Sequence, residues 1–324
     1  MCYLAFILIL YLVTNGLFMI FNPAEWYALV PGVAETGEMN AHFITDIGFM
    51  FLLAGVGIIW RLLDPVRGRS AAIIGAGFLS LHAFFHLYGT LLIPHHGSGA
   101  QSMHLGTDIL GIYLPAGAAL WVSVSKKIRL PSWFLAMATR LAHREISAFE
   151  KQWRYDGGYM HDIADADLEA ISRFSLLQEF AEFRGDTPTE AWYIFKLLGC
   201  LSEDCGPCAQ LVVEMALSEE LPPDMLAAVL AGKRELLSPL QRLYYDYACA
   251  VITHDITIAE LGQRLVEEHG ATSTVAAGIA LITGKAYPVM KYALGHGQHC
   301  AQISLGENLI RVTKSVYENA EATS

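Results

Sequence analysis

The sequence predicts an all-α protein in two parts, a four-helix transmembrane bundle followed by a soluble helical domain. Of its 324 residues, 54% are hydrophobic and only 16% are charged, against about 25% charged in an ordinary soluble domain. The charges are also uneven, since residues 1–125 contain only three basic side chains. A net charge of −11 without a basic stripe argues against nucleic acid as a partner.

Four apolar stretches predict the membrane-spanning helices, and the lipid bilayer is the partner they imply. The stretches are residues 2–21, 41–63, 71–94 and 105–125. Each approaches the ~20 residues that an α-helix needs to cross about 30 Å of hydrocarbon. The first stretch has no basic n-region and no small-x-small cleavage site before Phe21, which favours a retained helix over a removable signal peptide.

Basic residues near the helix ends predict the orientation in the membrane. They are Arg61, Arg67, Arg69, Lys126, Lys127 and Arg129. The other two loops of the apolar half, at 22–40 and 94–103, contain no Lys or Arg. By the positive-inside rule, we expect a multi-pass protein of an inner or plasma membrane with both termini in the cytoplasm.

Changes in composition divide the chain into three parts. They are a transmembrane domain (residues 1–126), an amphipathic juxtamembrane linker (127–158) and a helical domain (159–324). Charged amphipathic segments in the last part alternate with breakers such as Leu221-Pro-Pro223 and Gly270. One of them, 165–183, reads as a single helix. No alternating strand pattern of useful length is present, so we expect this domain to be entirely helical.

Metal-ligand side chains recur at a spacing of four residues in the apolar half. They are His42, Asp46, His82, His86, His104 and Asp108. This spacing places both members of each pair on one helix face, and ionisable groups inside a membrane usually face the bundle interior. Imidazole and carboxylate suit a transition metal, and paired histidines also hold haem. A polar packing network or a proton path is equally compatible with these residues.

The soluble half carries the sequence Cys205-Gly-Pro-Cys208, which is expected to open a helix. Free N–H groups at a helix start stabilise a thiolate, the nucleophilic form of cysteine. Redox chemistry is favoured over zinc, because no second ligand pair follows, and over a structural disulfide, because cytoplasmic thiols stay reduced. We expect Cys205 to be the more exposed and more acidic thiol. Cys200, Cys249 and Cys300 are interpreted as helix-core residues.

The segment Glu203-Asp-Cys-Gly-Pro-Cys-Ala-Gln210 resembles the alkylhydroperoxidase D-like and carboxymuconolactone decarboxylase superfamily, with the resemblance covering about residues 165–295. The resemblance implies an all-α fold, trimers or hexamers, and peroxidatic and resolving roles for Cys205 and Cys208. Members with peroxidase activity need no bound cofactor for this dithiol.

Those members also use a Glu twelve residues before the first Cys and a His four residues after the second. These positions are Tyr193 and Val212 here. Glu190 or Glu203 could supply the carboxylate, and nothing replaces the His.

The expected function is therefore a membrane-anchored, antioxidant thiol oxidoreductase. It would reduce a peroxide or a protein disulfide with Cys205 and Cys208 and be regenerated by an unidentified thiol reductant. One alternative is a membrane metal- or haem-binding protein whose soluble domain is a non-catalytic assembly module. Another is a small transporter or sensor with the dithiol as a switch.

Overall fold

The computed structural model describes residues 2–35, 37–92, 106–126, 128–299, 302–306 and 308–312. The chain forms two compact units, Met1–Arg140 and Leu141–Ser324. The predicted linker, 127–158, contributes residues to both units. Helices account for most of the described residues in each.

The first unit contains the helices expected to cross the membrane. They are α1 (Cys2–Phe21), α3 (Ala41–Leu63), α4 (Gly68–Leu92) and α5 (Gly106–Val124), with the short helix α2 (Pro23–Leu29) after α1. Each of the four long helices has the length and apolar composition to span a bilayer. Where the structure describes them, the four apolar stretches of the sequence are thereby confirmed as helices.

Small residues let α1 and α3 approach closely. A Cβ added to Gly16 would lie 2.8 Å from the carbonyl oxygen of Gly48, and one added to Gly48 would lie 2.8 Å from the Cβ of Met19. Such small-residue contacts are typical of helix pairs in membranes. Large apolar side chains such as Ile74 and Leu81 remain exposed on the outer faces, as hydrocarbon surroundings allow.

The second unit is built from helices that follow one another with short connections. They are the end of α6 (Ser132–Trp153), α7 (Gly158–Ala166), α8 (Leu168–Ala181), α9 (Thr189–Ser202), α10 (Gly206–Ser218), α11 (Pro223–Leu230), α12 (Pro239–Thr253), α13 (Ile258–His269) and α14 (Thr272–Ala293). The helix expected over about 165–183 corresponds to α8, and α7 before it was not expected. Asp167 has extended backbone and ends α7, and its carboxylate caps α8 by accepting from the N–H groups of Glu169 and Ala170.

The core of this unit centres on α9, whose side chains Ile194, Phe195 and Leu198 are fully buried. Two glycines bring α9 against α14. A Cβ on Gly284 of α14 would lie 2.5 Å from the carbonyl oxygen of Lys196, and Gly199 faces the same contact from α9. Helix α10, which carries the cysteine pair, contributes to the same core cluster.

A short antiparallel hairpin, β1 (Gln302–Leu305) and β2 (Asn308–Arg311), follows the helices. The expectation of an entirely helical domain is wrong here. Ile303 and Leu305 alternate into the core while their neighbours stay exposed. Two buried residues in a four-residue strand are too short a pattern to recognise in a sequence. The hairpin is held to α10 because Gln210 donates to the Ser304 carbonyl at 2.9 Å and accepts from its N–H at 2.8 Å.

Candidate dithiol site

The cysteine pair lies at the start of α10, as the sequence predicts. Cys205 is the residue before the first helical turn and has extended backbone. Pro207 lies inside that turn, where its missing N–H has no helical partner to lose. Asp204 adopts a positive φ of 53° and makes the sharp turn between α9 and α10. Cys208 is therefore one turn into the helix, beside Cys205.

Both thiols are free and buried, with exposed fractions of 0% for Cys205 and 3% for Cys208. The expectation that Cys205 is the more exposed of the two is wrong. The reason is the chain that follows α14, which returns to the start of α10. There the N–H of Gly206 donates to the carbonyl oxygen of Gln298 at 3.2 Å.

Asp204 contacts the end of α14 and the segment that follows it. The hydroxyl of Tyr292 donates to the Asp204 carbonyl oxygen at 2.9 Å. The Nδ1 atom of His299 lies 2.8 Å from an oxygen of the Asp204 carboxylate. Access to Cys205 from solvent therefore requires residues near 298 to move.

The two thiols differ strongly in acidity. A hydrogen bond from the Cys208 thiol lowers the pKa of Cys205 to about 7, with help from the Cys208 backbone N–H and the charge of Lys291. Burial and the carboxylate of Asp204 oppose this shift. The same thiol–thiol hydrogen bond and burial raise the pKa of Cys208 far above its ordinary value. Cys205 is thus the more acidic thiol of the pair, the order of acidity expected from the sequence.

A tyrosine hydroxyl faces the second thiol. The oxygen of Tyr155 lies 3.8 Å from the sulfur of Cys208, and the Tyr155 ring meets Tyr159 edge to face. Burial raises the pKa of both tyrosines, so both hydroxyls stay protonated at neutral pH. Tyr155 is therefore positioned to donate a hydrogen bond to sulfur.

A fully buried lysine completes the arrangement. Lys291 on α14 is 0% exposed, and its Nζ donates to the carbonyl oxygen of Asp156 at 2.9 Å. The same Nζ lies 4.5 Å from the ring centroid of Tyr155 and 5.6 Å from that of Tyr159. A buried charge is costly without partners, and here a carbonyl and two aromatic faces supply them.

Sequence reasoning missed both Tyr155 and Lys291. Tyr155 fell in the predicted linker, although its ring packs in a core cluster of the second unit. The sequence contains a weak indication of the role of Lys291, because it is one of two lysines in the otherwise uncharged α14. The other, Lys285, pairs with Glu203 at 3.1 Å on a more exposed face.

The carboxylates predicted to assist the thiols are engaged elsewhere. Glu203 forms the ion pair with Lys285, and Glu190 accepts a hydrogen bond from Gln241 at 3.2 Å. Tyr193, where the resembled family has its Glu, donates to Glu219 at 2.7 Å. The charged groups nearest to the thiols are thus different from those expected.

The other two described cysteines of the second unit belong to its hydrophobic core. Cys200 is buried in the main core cluster, and Cys249 packs against it from α12 while staying half-buried. Burial raises the pKa of Cys249 to about 12, which keeps it a protonated thiol. Cys300 lies outside the described residues.

Some of the side chains predicted to form the membrane site lie close together, and others do not. The rings of His82 and His86 lie 4.8 Å apart between centroids, and His86 Nδ1 is 3.5 Å from a carboxylate oxygen of Asp108. His42 and Asp46 form a separate pair at 3.6 Å, with exposed side-chain fractions of 88% and 56%. His104 lies outside the described residues.

The surroundings of His82 and Asp108 are partly aromatic and partly irregular. Phe51 and Phe78 contact the His82 ring, and the turn Ile109–Tyr113 after Asp108 is π-helical. Such turns are frequent at functional sites. Across the described residues, no three or more His, Cys, Asp or Glu side chains are placed to hold a metal ion. The six-residue metal site stays a prediction.

The candidate site is therefore a buried dithiol with one acidic thiol, a tyrosine hydroxyl at the other thiol and a lysine ammonium nearby. Its parts come from the turn after α6, the start of α10 and the end of α14. Comparison of the chain with models of known families, with curated proteins and with solved structures finds no match.

Proposed function

We propose that this protein is a membrane-anchored thiol oxidoreductase that reduces hydroperoxides with Cys205 and Cys208. The observation that supports it most directly is the lowered pKa of Cys205, about 7, beside a second thiol of raised pKa. The lowered pKa increases the share of Cys205 that is thiolate at neutral pH, and thiolate is the form that attacks oxygen or sulfur. Structural cysteines buried in apolar surroundings show the opposite shift.

The proposed reaction has two steps. The Cys205 thiolate attacks one peroxide oxygen, the O–O bond breaks, and the alkoxide that leaves takes a proton to become an alcohol. Cys205 is then a sulfenic acid. The Cys208 thiol attacks its sulfur, an S–S bond forms, and the sulfenic hydroxyl leaves with the Cys208 proton as water. An external dithiol, the reductant class we propose, exchanges with the disulfide and restores both thiols.

Lys291 and Tyr155 would act at different sulfurs. The charge of Lys291 favours the thiolate of Cys205 before the first step. The Tyr155 hydroxyl, 3.8 Å from the Cys208 sulfur, would stabilise the charge that develops on that sulfur as it loses its proton. This division gives the site a route to the disulfide without a His four residues after Cys208, where the sequence has Val212.

Burial of both sulfurs favours a small peroxide over a protein disulfide as the substrate. A peroxide needs only a narrow opening near Gln298, whereas a protein disulfide must bring its own backbone to the thiols. The cytoplasmic location of both termini, a trimeric or hexameric assembly, and kinship with the alkylhydroperoxidase D-like superfamily are further parts of the proposal. The basic loops and the Cys205-Gly-Pro-Cys208 segment support them.

The test follows disulfide formation in the full chain purified in detergent. The reduced protein is mixed with hydrogen peroxide or an organic hydroperoxide, and peptide mass spectrometry identifies the linked cysteines. We expect a Cys205–Cys208 disulfide and its loss in Cys205→Ser and Cys208→Ser. Cys249→Ser is the matched control, because that thiol packs on the same core, and it should behave like the wild type.

Two results would contradict the proposal. One is full peroxide turnover in either serine variant of the pair. The other is a wild-type pair that stays reduced under a peroxide excess while the fold remains intact by circular dichroism. Either result would favour a non-catalytic assembly role for the second unit.

A second candidate function, metal or proton handling by the membrane unit, is supported by the His82, His86 and Asp108 contacts. Metal analysis and the visible spectrum of the purified chain test it. We expect bound metal or haem to be lost in His86→Ala and retained in His42→Ala, whose side chain is exposed. A metal-free, colourless wild type would leave a proton path or a polar packing network. A vesicle proton-flux assay separates these, because Asp108→Asn should block flux only if the residues form a proton path.

A further inference from the structure

The second unit contains two histidines whose rings face each other nitrogen to nitrogen. His143 on α6 and His161 on α7 bring their Nδ1 atoms to 2.5 Å, with the ring planes only 24° apart. Both side chains remain about a quarter exposed to solvent. These residues lie away from the cysteine pair in sequence and have no role in the reaction proposed above.

The outer nitrogen of each ring faces a carboxylate. His143 Nε2 lies 2.8 Å from Asp165, and His161 Nε2 lies 3.2 Å from Glu150. The other oxygen of Glu150 accepts the Gly157 N–H at 2.9 Å, which fixes its orientation. A carboxylate at Nε2 holds the proton on that nitrogen and leaves the lone pair on Nδ1. Both lone pairs then point at one another.

Two facing lone pairs require an electropositive centre between them. A shared proton or a metal ion would serve, and the charge distinguishes the two. Neutral imidazoles with Asp165 and Glu150 carry a net charge of about −2, and the described ion pairs give neither carboxylate a Lys or Arg partner. A dication cancels this charge, whereas one proton leaves half of it.

We propose that His143 and His161 bind a first-row transition-metal dication such as Zn²⁺ or Co²⁺ through their Nδ1 atoms. Imidazole nitrogen is a preferred ligand of these ions, and the carboxylate behind each ring is the usual outer partner of a metal-bound histidine. Asp165 and Glu150 orient the rings and do not bind the ion. Water completes the coordination from the exposed side.

Binding requires the two rings to separate and to tilt. Two nitrogens bound to one tetrahedral zinc at about 2.0–2.1 Å lie about 3.3 Å apart. The Nδ1 atoms, now at 2.5 Å, must therefore separate by about 0.8 Å. The rings must also tilt, because their lone pairs now point at one another, and both side chains are partly exposed.

The chain offers a matched control in His296. This histidine also has a carboxylate partner, Asp162 at 2.7 Å, and is similarly exposed. No described contact brings a second imidazole to its ring. If a carboxylate-held histidine were sufficient for metal binding, His296 would bind as well.

The experiment uses the full chain in detergent with Cys205→Ser and Cys208→Ser, so that no thiol of the pair binds metal. The metal-stripped protein is titrated with Co²⁺ and followed by its visible absorption, and Zn²⁺ is then used to displace it. We expect one Co²⁺ equivalent to be lost in His143→Gln and in His161→Gln, and to remain in His296→Gln. Glu150→Gln, which keeps both rings, should weaken binding about tenfold.

The proposal fails if His143→Gln and His161→Gln bind as much Co²⁺ as the parent, or if His296→Gln loses as much as they do. It also fails if the parent binds no metal, and a far-downfield imidazole proton in the NMR spectrum would then identify a shared proton between the rings. Circular dichroism confirms the fold of each variant. If a histidine variant unfolds, the Co²⁺ affinity of Glu150→Gln tests the proposal instead. An unchanged affinity in that variant would contradict the proposed role of Glu150 in orienting the His161 ring.

Discussion

The ammonium of Lys291 lies 4.5 Å from the ring centroid of Tyr155, and the Tyr155 hydroxyl lies 3.8 Å from the sulfur of Cys208. A buried cation, an aromatic ring and a thiol thus follow one another inside the second unit. Lys291 lowers the pKa of Cys205, whereas the Tyr155 hydroxyl faces Cys208. Substituting each residue therefore tests the two thiols separately.

Replacing Lys291 by Met should raise the pKa of Cys205 from about 7 toward the ordinary thiol value of about 8.5. The pH dependence of Cys205 alkylation by iodoacetamide, resolved by peptide mass spectrometry, measures the shift. Lys285→Met on the same helix is the control, because that lysine pairs with Glu203. A larger shift in Lys285→Met than in Lys291→Met would contradict the assignment.

Tyr155→Phe should slow formation of the Cys205–Cys208 disulfide about fivefold while leaving the first oxidation of Cys205 unchanged. The reason is the lost hydrogen bond to Cys208, which is typically worth about 1 kcal/mol. Stopped-flow mixing with peroxide followed by acid quench and mass spectrometry separates the two steps. Tyr245→Phe, which removes a hydroxyl beside Cys249, should change neither rate, and an equal effect in both variants would rule out a specific role.

The rate of Cys205 oxidation should depend on pH in one direction. Its lowered pKa of about 7 means that the thiolate is scarce at pH 6 and dominant at pH 8. We expect the second-order rate constant with hydrogen peroxide to rise about tenfold between these values and then to level off. A rate that keeps rising through pH 9 would show an unshifted thiol.

The Arg184–Glu219 pair should support stability in acid. Arg184 contacts both oxygens of the Glu219 carboxylate at 2.8 Å and lowers its pKa to about 2. Since this folded-state pKa is depressed, the contribution is present above the unfolded pKa of about 4.3 and is lost as pH falls toward 2.

Arg184→Met should therefore lower the Tm at pH 7 and have a smaller effect near pH 2, where about half of Glu219 is already protonated in the wild type. Thermal melts followed by circular dichroism check this. Arg173→Met, which breaks the more exposed pair with Glu169, should have a smaller effect at every pH. Equal losses for the two variants would contradict the prediction.

Gln210→Ala should loosen the hairpin Gln302–Leu305 and Asn308–Arg311. The amide nitrogen of Gln210 donates to the Ser304 carbonyl and the amide oxygen accepts from the Ser304 N–H, so the variant leaves that backbone without these partners. Hydrogen exchange followed by mass spectrometry should be faster in peptides covering the hairpin. Gln263→Ala, which removes only an exposed contact with Glu267, should leave the exchange there unchanged.

The membrane helices and the position of the cysteine pair could be predicted because each depends on a strong local pattern. About twenty apolar residues in a row give a helix long enough for a bilayer, as for α1 and α3. The Gly206-Pro207 step after Cys205 indicates a helix start, because proline is tolerated in the first turn. Neither inference requires knowledge of distant contacts.

Contacts between distant residues could not be read in this way. Tyr155 meets Cys208 across 53 positions, and Lys291 meets the carbonyl of Asp156 across 135. The burial of Cys205 depends on Gln298, which follows the last helix. A single sequence carries the local propensity of each of these residues and no signal of which other residue it will touch.

Glu150 lies between the histidine pair and the turn that carries Tyr155. One of its carboxylate oxygens accepts from His161 and the other from the N–H of Gly157, and its carbonyl accepts from the N–H of Tyr155. A cation bound between the imidazoles would redistribute charge on this carboxylate and so alter the free energy of the turn. Thermodynamic linkage makes that effect reciprocal. If binding of the cation changes the equilibrium constant for reduction of the disulfide by some factor, oxidation of the dithiol changes the binding constant of the cation by the same factor.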